Sequence, residues 1–162
     1  MMNELLIKKL SFTKRPIPLP AEYRPMYKIA IIVIILKLCC RGETSTLLKL
    51  HLFSWALASQ KHMKELNDFI RSNYTNEFSV WGIEPALNRA LQLAVGENIC
   101  EIVYGKNYKL TEKGNVFFEL INGDKELFEI EKSFLSSIGK NHITDGRITA
   151  MTQKWNLFYA KN

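Results

Sequence analysis

Three cysteines, three histidines and a few scattered carboxylates are the groups in this chain that nucleophilic or metal chemistry would draw on. Such chemistry needs partners at set intervals: a second thiol or imidazole for a metal ion, a base beside a nucleophile. Cys39, Cys40 and Cys100 show no C-x-x-C spacing, and the adjacent pair sits in an apolar run. They read as small buried hydrophobes whose free thiols suit a reducing, cytoplasmic setting. His51, His62 and His142 are scattered, none with a second ligand at a diagnostic interval. His51 and Trp55, four residues apart, are expected to touch as a structural ring pair on a helix. Glu43, Glu65 and Asp68 fall on loops or outward helix faces, without a partner to tune their acidity. Neither G-x-x-x-x-G-K-S/T nor G-x-S-x-G occurs. The expectation is a chain with no catalytic residue, no metal and no cofactor, whose chemistry comes from companion proteins.

Residues suited to recognition are better placed. Asn88, Arg89, Gln92 and Leu93 fall together on one side of a helix, and Lys106, Asn107 and Lys109 cluster around a turn. As a DNA binder the chain would use Arg89, Lys106, Asn107 and Lys109, with cations on phosphates and polar groups reaching base edges. As a protein binder it would use Asn88, Arg89, Gln92 and Leu93. A single arginine beside an outward leucine suits the second use better, because interfaces favour apolar and arginine anchors whereas a DNA reader brings several cations.

The elements that position these residues lie between Glu84 and Gly114. Pro85 belongs in a first helical turn, and Gly96 is expected to close that helix in a left-handed conformation. Leu87, Ala90, Leu91, Ala94 and Val95 form its apolar stripe. Ile99 to Tyr104 is rich in β-branched and aromatic residues, Gly105-Lys106-Asn107 supplies a turn, and Tyr108-Lys109-Leu110 returns. Thr111 caps a further helix with Glu112 in its first turn and Val116, Phe117, Leu120 and Ile121 on its buried side. Helix, hairpin, Y-K-L-T-E-K-G, helix is the order of a winged helix-turn-helix domain. The predicted fold is therefore mainly α (α+β), with a two-stranded β wing.

The flanking chain predicts three parts. Residues 1–25 carry Pro16, Pro18, Pro20 and Pro25 and form an extended arm. Residues 26–124 form the helical winged-helix domain, and 125–162 supply C-terminal helices that pack on it. Met26 to Cys40 is predicted helical despite its run of isoleucines, and with no wide polar face it must be surrounded, by the core or by another subunit. Thr44 or Ser45 caps a helix reaching about Ser59, with a thin polar edge of Lys49, His51 and Ser54. Lys61 to Tyr74 is amphipathic, and Trp81 anchors the connector after it. Lys125 to Ile138 is a helix facing inward with Leu127, Ile130, Phe134 and Ile138, ended by Gly139, and a last helix runs from Asp145 to Tyr159.

At 162 residues and 47% hydrophobic the chain can bury a real core. The whole excess of its +6 net charge lies before His62. The longest apolar run, Ile29 to Leu36, is far short of the roughly 20 residues that cross a bilayer, so no membrane association is expected.

Two stretches resemble a known family. RPMYKIAIIVIILKLCCRGETSTLLKLHLFSWAL, from Arg24 to Leu57, is similar to the opening of the middle components of bacterial ABC three-component systems. EPALNRALQLAVGENICEIVYGKNYKLTEKG resembles the winged-helix part of the same small proteins, which are related to the small subunit of Lamassu-type defence systems. The resemblance implies a non-enzymatic, kleisin-like adaptor that links an SMC- or Rad50-like ABC ATPase to an effector such as a nuclease, in defence against phage and plasmids. DNA would be met through the assembled complex. The alternative is a winged-helix transcriptional regulator that binds DNA itself.

Overall fold

The computed structural model describes residues 24–76 and 83–160, with 154–160 described by backbone alone. Most of the proline-rich arm, the connector residue Trp81 and the side chains of Trp155 and Phe158 lie outside the described residues. Among the described residues the fold is mainly helical, with a small three-stranded antiparallel sheet.

Its centre is α1, Pro25–Cys39. Pro25 starts the helix where a missing N–H is harmless, and every residue from Lys28 to Leu36 is buried. The isoleucine run prefers strand, but burial on all sides overrides that local preference. Three later helices and α2 pack around it, so the enclosure expected for this segment is supplied by the chain's own core.

A 3-10 turn at Arg41–Glu43 leads into β1, Thr44–Ser45, and then α2, Leu47–Leu57. This corrects the expected cap. Thr46 accepts the Lys49 N–H and caps α2, while Thr44 and Ser45 pair with the hairpin instead. The predicted polar edge of α2 is also overturned: Lys49, His51 and Ser54 are all buried. Helix α3, Gln60–Arg71, is amphipathic and buries Leu66 and Phe69. Tyr74 then ties its end to the later chain, donating its hydroxyl to the His142 carbonyl at 2.6 Å while the Arg147 guanidinium lies 3.6 Å from its ring centre.

Helix α4, Pro85–Gly96, buries Leu87, Ala90, Leu91 and Ala94 against α1. Its end is closed by Asn98, not Gly96. Asn98 is the left-handed residue (φ 60°), and the bonds from Ile99 N–H to the Ala94 carbonyl and from Asn98 N–H to the Val95 carbonyl form a Schellman closure. Strands β2, Cys100–Val103, and β3, Asn107–Leu110, make the expected hairpin. The sheet gains β1 on the other side of β3, giving the order β1-β3-β2 in place of the predicted two strands.

Thr111 caps α5, Glu112–Gly123, as expected, by accepting the Gly114 N–H. The helix is turned relative to expectation: Gly114, Phe117, Phe118 and Ile121 face inward, leaving Val116 and Leu120 exposed. Gly114 explains the turn. A Cβ there would lie 2.3 Å from the Ile99 carbonyl oxygen and 2.5 Å from the Leu110 side chain, so only glycine lets α5 start this close to the hairpin.

Helix α6 is shorter than predicted, Glu129–Ile138, because Phe128 just before it takes a left-handed backbone (φ 53°). Phe134 and Ile138 face the core as expected, joined by Leu135, whereas Ile130, expected inward, is exposed. Gly139 ends it, as expected. Helix α7, Asp145–Ala160, contributes Ile148 and Met151 to the same core. No described helix is long and apolar enough to cross a membrane.

Candidate functional site

The outward side of α4 carries Pro85, Arg89, Gln92 and Leu93, all exposed, at helical spacing. Leu93 is 44% exposed, and Arg89 is the one charged residue on that strip among the described residues. Three of the four residues expected on this face are thus there. Asn88 is not. It is half-buried, with its Oδ1 2.9 Å from Nε2 of His51.

Behind the face lies a polar node that sequence spacing did not reveal. The Glu84 carboxylate is 2.9 Å from the Lys28 ammonium and accepts the Ser54 hydroxyl at 3.1 Å. Lys28 also donates to Ser54 at 3.2 Å. The Glu84 backbone N–H donates to Nδ1 of His51 at 3.1 Å, which leaves the proton on Nε2 to reach Asn88. Burial pushes the His51 imidazole below its ordinary pKa, Lys28 adds to that, and Asn88 and Glu84 oppose it. His51 is accordingly a neutral, positioning imidazole that holds the first turn of α4. Trp55, the residue expected to meet His51, stacks on His62 with ring centres 4.1 Å apart. Beside Lys28 lies a small open recess lined by Tyr27, Ile31 and Ser54.

A second polar knot ties α1 to α5. Lys37 donates to Glu43 at 2.8 Å and to Asn115 at 2.6 Å, and Asn115 donates to the other Glu43 oxygen at 2.9 Å. Glu43 was expected to lack a partner; this closed triangle corrects that. Burial would raise the Glu43 carboxyl, but the hydrogen bonds from Lys37 and Asn115 and the Lys37 charge outweigh it and hold the group below the usual value.

On the hairpin, Lys106 and Lys109 are exposed, and Lys109 stands opposite Glu101 across the ladder. Asn107 is half-buried with its Oδ1 shielded from solvent, so it offers less to a ligand than its position in the turn suggested. Ile102 and Tyr104 are exposed beside these cations. Among the described residues no group of three or more His, Cys, Asp or Glu side chains can hold a metal ion. Burial pushes the Cys39 and Cys100 thiols up to about 12 and raises Cys40 as well.

No protein-family model, curated protein or solved structure matches this chain.

Proposed function

We propose that the chain is a non-catalytic, kleisin-like adaptor of a cytoplasmic bacterial defence complex, linking an SMC- or Rad50-like ABC ATPase to an effector such as a nuclease. Within it, α4, the hairpin and α5 act as a winged-helix module. The sheet order β1-β3-β2 supports that module, because a short strand from ahead of α2 joins the second strand of the hairpin. The partner classes rest on the resemblance of Arg24–Leu57 and Glu84–Gly114 to the middle components of ABC three-component systems.

The observation that carries the adaptor role is the outward strip of α4, where Arg89 stands beside an exposed Leu93 and uncharged neighbours. That composition is an anchor for a protein surface and a poor grip on phosphates. Three of the N-terminal cations that would widen a DNA footprint support the same reading. Lys28 and Lys49 are buried, and Lys37 is tied to Glu43 and Asn115.

Affinity purification of the tagged chain, expressed with its operon neighbours in the native host, tests the reading. The ATPase should co-purify, and Arg89→Glu and Leu93→Glu should leave the chain folded while removing most of it. Undiminished recovery by both variants would overturn the docking role of α4.

Exposed Lys106 and Lys109 favour a second reading, a DNA-binding regulator. Duplex binding by the purified chain that weakens steeply with salt would establish it. The adaptor reading expects no such binding by the isolated chain.

A further inference from the structure

Helix α5 presents a second outward strip that the described residues leave exposed. Glu112, Val116, Glu119 and Leu120 recur at helical spacing and are all exposed, with Val116 at 50% and Leu120 at 43%. These two apolar side chains are neighbours, one turn apart, and the carboxylates of Glu112 and Glu119 flank them. Asp124 and Glu126 extend the negative charge past the helix end, offset by Lys125.

The nearby cations are engaged by backbone carbonyls: Lys113 donates to the Glu97 carbonyl at 2.7 Å, and Lys132 donates to the Ile121 and Asp124 carbonyls at the end of α5 itself. Glu112 sits in the first turn, where the helix dipole favours a carboxylate, and Glu119 lies about a turn before the C-terminal end, whose carbonyls Lys132 serves. The strip thus joins an apolar centre to two carboxylates on a part of the chain that carries none of the excess positive charge.

We infer that the outward strip of α5 docks a basic amphipathic helix of a partner protein. Val116 and Leu120 receive the apolar residues of that helix, and Glu112 and Glu119 face its lysines or arginines. Charge complementarity selects this occupant: the same apolar pair flanked by carboxylates disfavours an acidic segment, nucleic acid or an anionic membrane. The strip lies on a different helix from Arg89 and Leu93 and stands independently of whatever α4 binds.

The test uses the full chain, isotope-labelled, titrated with a synthetic Leu/Lys amphipathic peptide of about four helical turns. The control peptide carries Glu in place of every Lys. The expected result is saturable amide shifts confined to residues 112–124 with the Leu/Lys peptide. Binding should weaken at least about threefold as ionic strength rises from about 0.05 to 0.5 M. Val116→Ser combined with Leu120→Ser should abolish binding without altering the circular dichroism. Glu112→Lys with Glu119→Lys should transfer the preference to the Leu/Glu peptide, whereas Arg89→Glu and Leu93→Glu should change nothing. Equal binding of both peptides, shifts elsewhere or no shifts would overturn the inference. Shifts in α5 on concentrating the chain without peptide would overturn it too, by making a second copy the occupant.

Discussion

Lys28 and Glu84 stand 56 residues apart in sequence and 2.9 Å apart in the fold, joining the first turn of α1 to the residue that precedes α4. The ammonium is almost wholly buried while the carboxylate keeps some contact with solvent. Two consequences follow from that asymmetry. Removing the carboxylate strands a buried cation, whereas removing the lysine leaves a carboxylate that water and Ser54 can still serve. Glu84→Gln should therefore destabilise the fold by about 3 kcal/mol and Lys28→Met by clearly less. Urea unfolding of both single variants and the double variant measures this, and strictly additive losses would count against a coupled pair.

The neutral His51 gives stability a defined pH dependence. Its folded pKa lies below its unfolded value of about 6.5, so as pH falls the unfolded chain takes up the proton first. The contribution is complete above about 6.5 and is lost as pH drops through the folded pKa, with a slope of at most about 1.4 kcal/mol per pH unit. Glu43, also depressed, adds a loss of the same sign at lower pH. In His51→Gln the decline just below pH 6.5 should flatten. An unchanged profile in that variant would show that another group sets it.

Two glycines on similar helices should behave oppositely. Gly114→Ala drives a Cβ into the Ile99 carbonyl and the Leu110 side chain and should cost about 2 to 3 kcal/mol or push the hairpin outward. At Gly96 nothing lies within 4 Å, so Gly96→Ala should be neutral or add up to about 1 kcal/mol. Thermal unfolding of the pair decides whether close approach, and not helix propensity, fixes position 114.

Leu91 and Leu93 sit two residues apart on α4, one sealed in the core and the other open to solvent. Leu91→Asp should abolish folding, because a charge there has no partner. Leu93→Glu should leave the circular dichroism unaltered. A soluble, fully helical Leu91→Asp protein would refute the packing of α4.

The thiols offer a check on the core as a whole. Cys39, Cys40 and Cys100 are buried with raised pKa values, so a thiol reagent near pH 8 should find almost no reactive group in the native chain and three after denaturation. Rapid native labelling would place at least one of them at the surface.

The helices, the hairpin and the Thr111 cap were legible because each has a local cause: proline at a start, β-branched residues in a strand, a hydroxyl before a turn. The misreadings share a different origin. Thr44 and Ser45 look like caps, yet β3 recruits them as a strand, and pairing with a segment more than sixty residues away leaves no trace in local spacing. Val116 and Leu120 look like core because they share helical spacing with Phe117 and Ile121, but the tight approach at Gly114 rolls α5 toward Phe118. Lys49, His51 and Ser54 look like a polar edge because polarity normally marks solvent, and His51 and Ser54 are buried only because Glu84 and Asn88 arrive to receive them. On the recognition surface, Arg89, Gln92 and Leu93 could be placed from the apolar stripe opposite them. Asn88 could not, since its partner His51 belongs to another helix.

The enclosure of α1 also shapes how the protein is made. This fifteen-residue apolar rod leaves the ribosome roughly a hundred residues ahead of α6, one of the helices packed on it. At ordinary translation rates it waits on the order of 5 to 20 s before that cover exists. During that interval the nascent chain displays a sticky isoleucine-rich segment, so its yield in a cell should depend on holding chaperones more than its final stability would suggest.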